Sequence, residues 1–178
     1  ELLWRKGRVD LRPGVRGDLY VQLGPSPVLP QASSATHAFG LDPRLLVRQR
    51  LTDRWTLRQN VGMYHQPPSF PIPIPGVESF GFERGLQRNV QGSLGYEFAI
   101  ADKFILTQDA YLGRLSNLQD YDLAAAMSGG VSEYDDVVVS AKGWTYGLET
   151  MLRLAPRQRV YGWAAHTLSR STRSFEQG

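Results

Sequence analysis

The residues best suited to chemistry begin at Tyr64-His65-Gln66, which run directly into PPSFPIPIPG. A phenol, an imidazole and an amide there adjoin a proline-rich stretch. Such chain is stiff and extended, so it orders with little entropy loss. Tyr64, His65, Gln66, Phe70, Ile72 and Ile74 are therefore candidate ligand contacts. The competing reading is a loop laid over a rim for structural reasons. A second group is Asp120, Asp122, Glu133, Asp135 and Asp136. Clustered carboxylates suit a hard cation, but these lack the spacing of a calcium loop and read better as solvated acids. His37, His65 and His166 lie on separate segments and share no metal-ligand motif. Ser169, His166 and Asp109 supply the residue types of a hydrolytic triad without the local signature of one. The run GVRGD lacks the spacing and the lysine of a phosphate-cradling loop. From these residues no catalytic residue, metal or cofactor is expected.

The elements that must position these groups follow a period of two. In VDLRPGVRGDLYV, the odd positions from Val9 to Val21 are uncharged, whereas Asp10, Arg12, Arg16 and Asp18 occupy the even ones. The alternation returns in LDPRLLVRQRL, WTLRQNVGMYHQ, NVQGSLGYEF and WTYGLETMLRL, and more weakly in FILTQDAYLGR. RVYGWAAHTLSRS is ambiguous, because Tyr161 and Trp163 fall opposite Val160, Ala164 and Leu168. Period two gives one face per side of a sheet. Short connectors (Lys6-Gly7, Thr52 to Arg54, Ala101 to Lys103, Pro156 to Gln158) alternate with long ones near Gly24–Gly40, Gln66–Gly85 and Asn117–Gly143. That rhythm predicts an all-β, antiparallel up-and-down meander of about eight strands, forming a single segment over residues 1–178. No helix is expected; YDLAAAMSGG is too short to trust as one.

Strand length and charge placement suggest which solvent meets the apolar side. Several patterned runs exceed the roughly 5–6 residues usual in soluble sheets and match the roughly 9–11 that cross a bilayer as a tilted strand. Arg12, Arg16, Asp18, Arg44, Arg48, Arg58, Glu97 and Glu149 fall on the polar register, as lumen-facing charges of a transmembrane barrel would. Trp55, Phe98, Phe104 and Trp144 lie near strand ends, where an interfacial girdle sits. Composition agrees with this without deciding it. The net charge is only +3, with 20 basic and 17 acidic residues interleaved, which is poor evidence for nucleic-acid binding. There is no cysteine, so disulfides and thiolate metal sites are excluded.

In their order and spacing, LRPGVRGDLY, DPRLLVRQRLTDRWTLRQNVGMYHQPP, LQRNVQGSLGYEF, YGLETMLR and RVYGWAAHTLSRS resemble the barrel of TonB-dependent outer-membrane receptors. The likeness covers nearly the whole chain. His166 stands where that family usually has Tyr, and the chain ends at SFEQG instead of a closing aromatic residue. The resemblance implies a plugged barrel of about 22 strands in the bacterial outer membrane. That barrel would take up a scarce, bulky solute such as a siderophore, vitamin, oligosaccharide or peptide, driven through TonB. It also implies that this chain is an internal barrel piece without plug or TonB-engaging segment. Its partners would be outer-membrane lipid, the rest of the barrel and plug, and TonB through that plug. The alternatives are a passive pore or small closed barrel with an interaction role and, ranked after it, an outer-membrane hydrolase.

Overall fold

The computed structural model describes residues 2–22, 36–68, 85–100, 103–121, 138–154 and 161–175. Eight strands form one sheet in sequence order: β1 (Trp4–Lys6), β2 (Val9–Gln22), β3 (Thr36–Arg50), β4 (Trp55–Gln66), β5 (Gln87–Ile100), β6 (Phe104–Tyr121), β7 (Val138–Leu154) and β8 (Gly162–Phe175). Every neighbouring pair is antiparallel. The meander is therefore the expected one, and no helix occurs among the described residues. β2 to β8 run from 12 to 18 residues. β1 and β8 do not pair with each other, so the sheet is open and not a small closed barrel. The YDLAAAMSGG stretch lies almost wholly outside the described residues.

Residues directly opposite each other share a face, so the ladder fixes both faces across all strands. One face carries Val15, Leu19, Phe39, Leu45, Val61, Leu94, Leu112 and Leu148, all exposed. The other carries Asp10, Arg16, Arg48, Arg58, Glu97, Asp109 and Glu149. The ambiguous eighth strand is settled by its partner. Leu168 sits opposite Leu148, and Trp163 opposite Arg153. Trp163 thus joins the polar face.

Local chemistry explains the two ends. At the short-turn end, the Thr52 hydroxyl accepts hydrogen bonds from the backbone N–H groups of Arg54 (3.2 Å) and Trp55 (3.0 Å). This serine/threonine turn closes β3 onto β4. Trp55 then stacks on Phe98 at 4.3 Å between ring centroids and tilts against Tyr96 at 5.3 Å. At the opposite end, β6 runs beyond the expected boundary at Asn117. A register shift between Leu115 and Leu118 absorbs the irregularity, and Asn117 takes a positive φ of 55°. A bulge of this kind lets a strand bend and continue.

Candidate functional site

The polar face is organised by one cross-strand row. Reading from β3 to β7, Arg48, Arg58, Gly95, Asp109 and Glu149 are successive partners. Two cations side by side and two anions side by side should repel. They are reconciled by reaching across the sheet. Arg58 meets Asp109 at 3.5 Å over Gly95, and Arg48 meets Glu97 at 3.1 Å. Gly95 makes the first contact possible, because a Cβ there would overlap the Asp109 carboxylate and the Gln108 carbonyl oxygen. Arg16 pairs with Asp18 at 2.7 Å, Arg5 with Asp10 at 2.8 Å, and Arg173 with Asp120 at 3.3 Å. Arg16 is fully exposed; the other, part-exposed pairs are worth about 0–1 kcal/mol each. Their consequence is a charged layer whose arginines face acids within the wall. Arg12 and Arg44 lie on the same face, opposite Leu46 and Gly14.

A second cluster forms where β4 parts from β3. The ladder between them stops at Arg44 and Gly62. Beyond it, the Asp42 carboxylate replaces a backbone carbonyl. Its Oδ1 accepts the His65 backbone N–H at 2.9 Å and the His65 ring Nδ1–H at 2.7 Å. Asp42 is buried, and its side chain is more enclosed than that of His65. Gly40 leaves room for the imidazole: a Cβ there would approach the His65 Cβ to 2.9 Å and Leu86 to 3.2 Å. Next to this pair, the Gln66 side-chain amide donates to the Gln87 side-chain oxygen at 2.9 Å, and Asn117 donates to the Leu86 carbonyl at 2.9 Å. Tyr64, His65, Gln66, Gln87, Asn89 and Leu118 help line a cavity of about 120 Å³. Asn89 Oδ1 is buried there with no partner among the described residues.

Three of the six candidate ligand contacts, Tyr64, His65 and Gln66, therefore line one small polar cavity. Phe70, Ile72 and Ile74 lie outside the described residues, as do Asp122, Glu133, Asp135 and Asp136. The hydrolytic set does not converge. Ser169 and Asp109 are on the polar face, whereas His166, opposite Thr150, is on the apolar one. No group of three metal-ligating side chains occurs among the described residues. Asp42 as the partner of His65 was not anticipated from sequence. The hint available was an Asp at the head of a polar register, ahead of a histidine on the next strand.

Asp42→Ala is expected to leave two His65 donors without their acceptor. An unpaired donor in a buried site costs about 1–3 kcal/mol. The urea midpoint of the folded protein should fall accordingly with an unchanged slope. Asp42→Asn, which keeps an acceptor oxygen, should recover most of the loss. An Asp42→Ala midpoint equal to the parent's would contradict the assignment.

These features define an outer-membrane-barrel-like wall: a long-stranded meander with one apolar and one ion-paired face. The comparisons agree on the fold. The chain is similar to the FrpB iron transporter from Neisseria meningitidis in its F5-1 variant apoprotein form, with a TM-score of 0.61 at 12% identity, over 97% of this chain and 25% of that one. For the F3-3 variant of FrpB the TM-score is 0.62 at 11% identity, over 97% and 24%. The chain thus spans about a quarter of the length of these transporters. No protein-family profile and no curated protein matches it.

Proposed function

We propose that the chain is part of the wall of a bacterial outer-membrane transporter of the TonB-dependent kind, taking up a scarce, bulky solute. The observation that carries this reading is the pairing of a broadly exposed apolar face with an ion-paired polar face on strands long enough to cross a bilayer. Val15, Leu19 and Phe39 each keep roughly two thirds of their surface exposed: 65%, 64% and 65%. A contiguous apolar surface of that kind is a liability in water and a contact surface in lipid. The free edges of β1 and β8 support a larger barrel, since backbone groups at a bare edge have no partner in hydrocarbon. In such a barrel the polar face lines the lumen, a plug stands against it, and the cavity beside His65 lies at the long-connector mouth. No bond-making chemistry is assigned to the chain.

Likeness to FrpB makes a ferric complex the first cargo to test. Cells producing the full-length protein should accumulate radiolabelled ferric siderophore, and a protonophore should stop that uptake. Uptake that continues unchanged under the protonophore would favour a passive pore. Ester or peptide turnover without uptake would favour a hydrolase. Either result overturns the proposal.

A further inference from the structure

Polar side chains cross the apolar face at one height. Tyr96, Gln108, Thr150 and His166 are successive partners from β5 to β8. The Tyr96 hydroxyl donates to Gln108 Oε1 at 3.1 Å, and Gln108 Nε2 donates to Thr150 Oγ1 at 3.1 Å. The track then stops. Thr150 and His166 stand opposite each other, and no hydrogen bond joins them among the described residues. The Thr150 hydroxyl still has its own proton to donate, and the imidazole has no partner there.

The last strand differs from the first long one on this face. The apolar register of β2 holds no polar side chain. On β8 only Ala164 and Leu168 are hydrocarbon side chains of that register, whereas His166, Arg170, Thr172 and Ser174 are polar. Arg170, opposite Tyr146, makes no ion pair or hydrogen bond among the described residues. The acids of the described strands, from Asp10 to Glu149, all lie on the opposite face. Depth sharpens the mismatch. At about 3.3 Å per residue and a tilt near 45°, His166 lies about 9 Å and Arg170 about 19 Å above the Ile100–Phe104–Leu154–Gly162 row at the short-turn end. Both depths fall within an apolar band of about 25 Å. Acyl chains offer no acceptor there, and an imidazole is too short to reach a head group.

We infer that the outer side of β7 and β8 docks a second membrane polypeptide, which brings an acidic side chain to His166 and Arg170. The inference rests on the lipid-facing reading of the apolar face proposed above. A polypeptide can carry a carboxylate into the band and satisfy the Thr150 hydroxyl with an acceptor of its own, whereas an acyl chain has neither. A second copy of this chain, docked through the same sector, would set His166 and Arg170 against groups of their own kind. That sector has no carboxylate to offer.

A benzophenone-bearing residue at Leu168, exposed between His166 and Arg170, tests the contact. The full-length protein is irradiated in the outer membrane of the cells that naturally make it, with the same probe at Leu94 on β5 as reference. At position 168 mass spectrometry is expected to find a peptide of another protein that carries Asp or Glu; at position 94 it is expected to find lipid. The combined His166→Phe, Arg170→Leu variant should lower the protein adduct at least about tenfold, the equivalent of one hydrogen bond to a charged group. Both replacements suit hydrocarbon, so misfolding does not explain that loss. In phosphatidylcholine vesicles the variant should unfold at a higher urea concentration than the parent. Arg153→Gln, on the other face of β7, should leave the adduct unchanged. Lipid, a second copy or a strand of the same barrel at position 168 would overturn the inference. So would a protein adduct that lacks an acidic residue or that the double variant does not weaken. These results leave the lipid-facing reading standing as long as position 94 takes lipid. Failure of lipid to label position 94 would overturn both.

Discussion

Leu94→Arg is expected to destabilise the bilayer-folded protein by about 2–4 kcal/mol, the cost of arginine on the lipid face near the membrane midplane. Leu94 is 58% exposed and lies midway along β5, between Ile100 at the short-turn end and Arg88 toward the other end. Its neighbour Ser93 faces the other side, where it accepts a hydrogen bond from Asn60. Ser93→Arg should therefore cost much less, because an arginine there enters a face already built from ions. The contrast separates two environments that exposure alone does not. In a water-soluble sheet, arginine in place of a half-exposed leucine would be close to neutral. Denaturant unfolding from phosphatidylcholine vesicles, followed by tryptophan emission, measures the difference. Equal, small effects at positions 93 and 94 would contradict a lipid-facing Leu94.

The second large effect concerns Gly95. A methyl group at this position would displace the Asp109 carboxylate and press on the Gln108 carbonyl oxygen. Backbone cannot yield as a side-chain tip can, so overpacking of about 1–3 kcal/mol is expected for Gly95→Ala. The change also obstructs the route by which Arg58 reaches Asp109. Asp109 would then stand beside Glu149, its partner in the ladder, without its own cation. Gly92→Ala is the internal comparison. A Cβ there meets only the Asn60 carbonyl oxygen, at an ordinary 3.5 Å. It should alter stability by less than about 0.5 kcal/mol. If the two alanine variants unfold at the same denaturant concentration, the close approach at Gly95 does not hold in the folded protein.

The faces of the sheet were legible in the sequence wherever alternation was strict. β2 shows this best, with its four charges on one register. β8 was not legible, because Trp163 and Tyr161 put large rings on the register opposite Ala164 and Leu168. Only the partners on β7 decide that strand. The course of β6 was hidden for a related reason. Leu115 and Leu118 are three apart, which breaks a period of two, and the bulge between them restores the face by dropping out of register. The candidate site was legible as a set of charges and not as a set of contacts. Arg58 and Asp109 are distant in sequence, and their meeting depends on Gly95 lying between them in the folded row. Likewise, nothing local to Asp42 announces that β4 leaves the ladder and brings His65 to its carboxylate. Contacts of this kind are set by inter-strand register, which turn geometry and the whole hydrophobic pattern fix together.

The sharpest test of the account is a collision scan along β5. The chain has no cysteine, so single spin-labelled cysteines can be placed at each position from 89 to 98 except Gly95, with no native thiol of this chain to remove. The labels are read in bilayers against oxygen, which concentrates in hydrocarbon, and a water-soluble nickel chelate. A two-residue oscillation is expected: high oxygen collision at Val90, Gly92, Leu94, Tyr96 and Phe98, with nickel access in antiphase at Asn89, Gln91, Ser93 and Glu97. Even-numbered labels that meet nickel freely, or that meet neither reagent, would place water or protein against that side of the strand and contradict it.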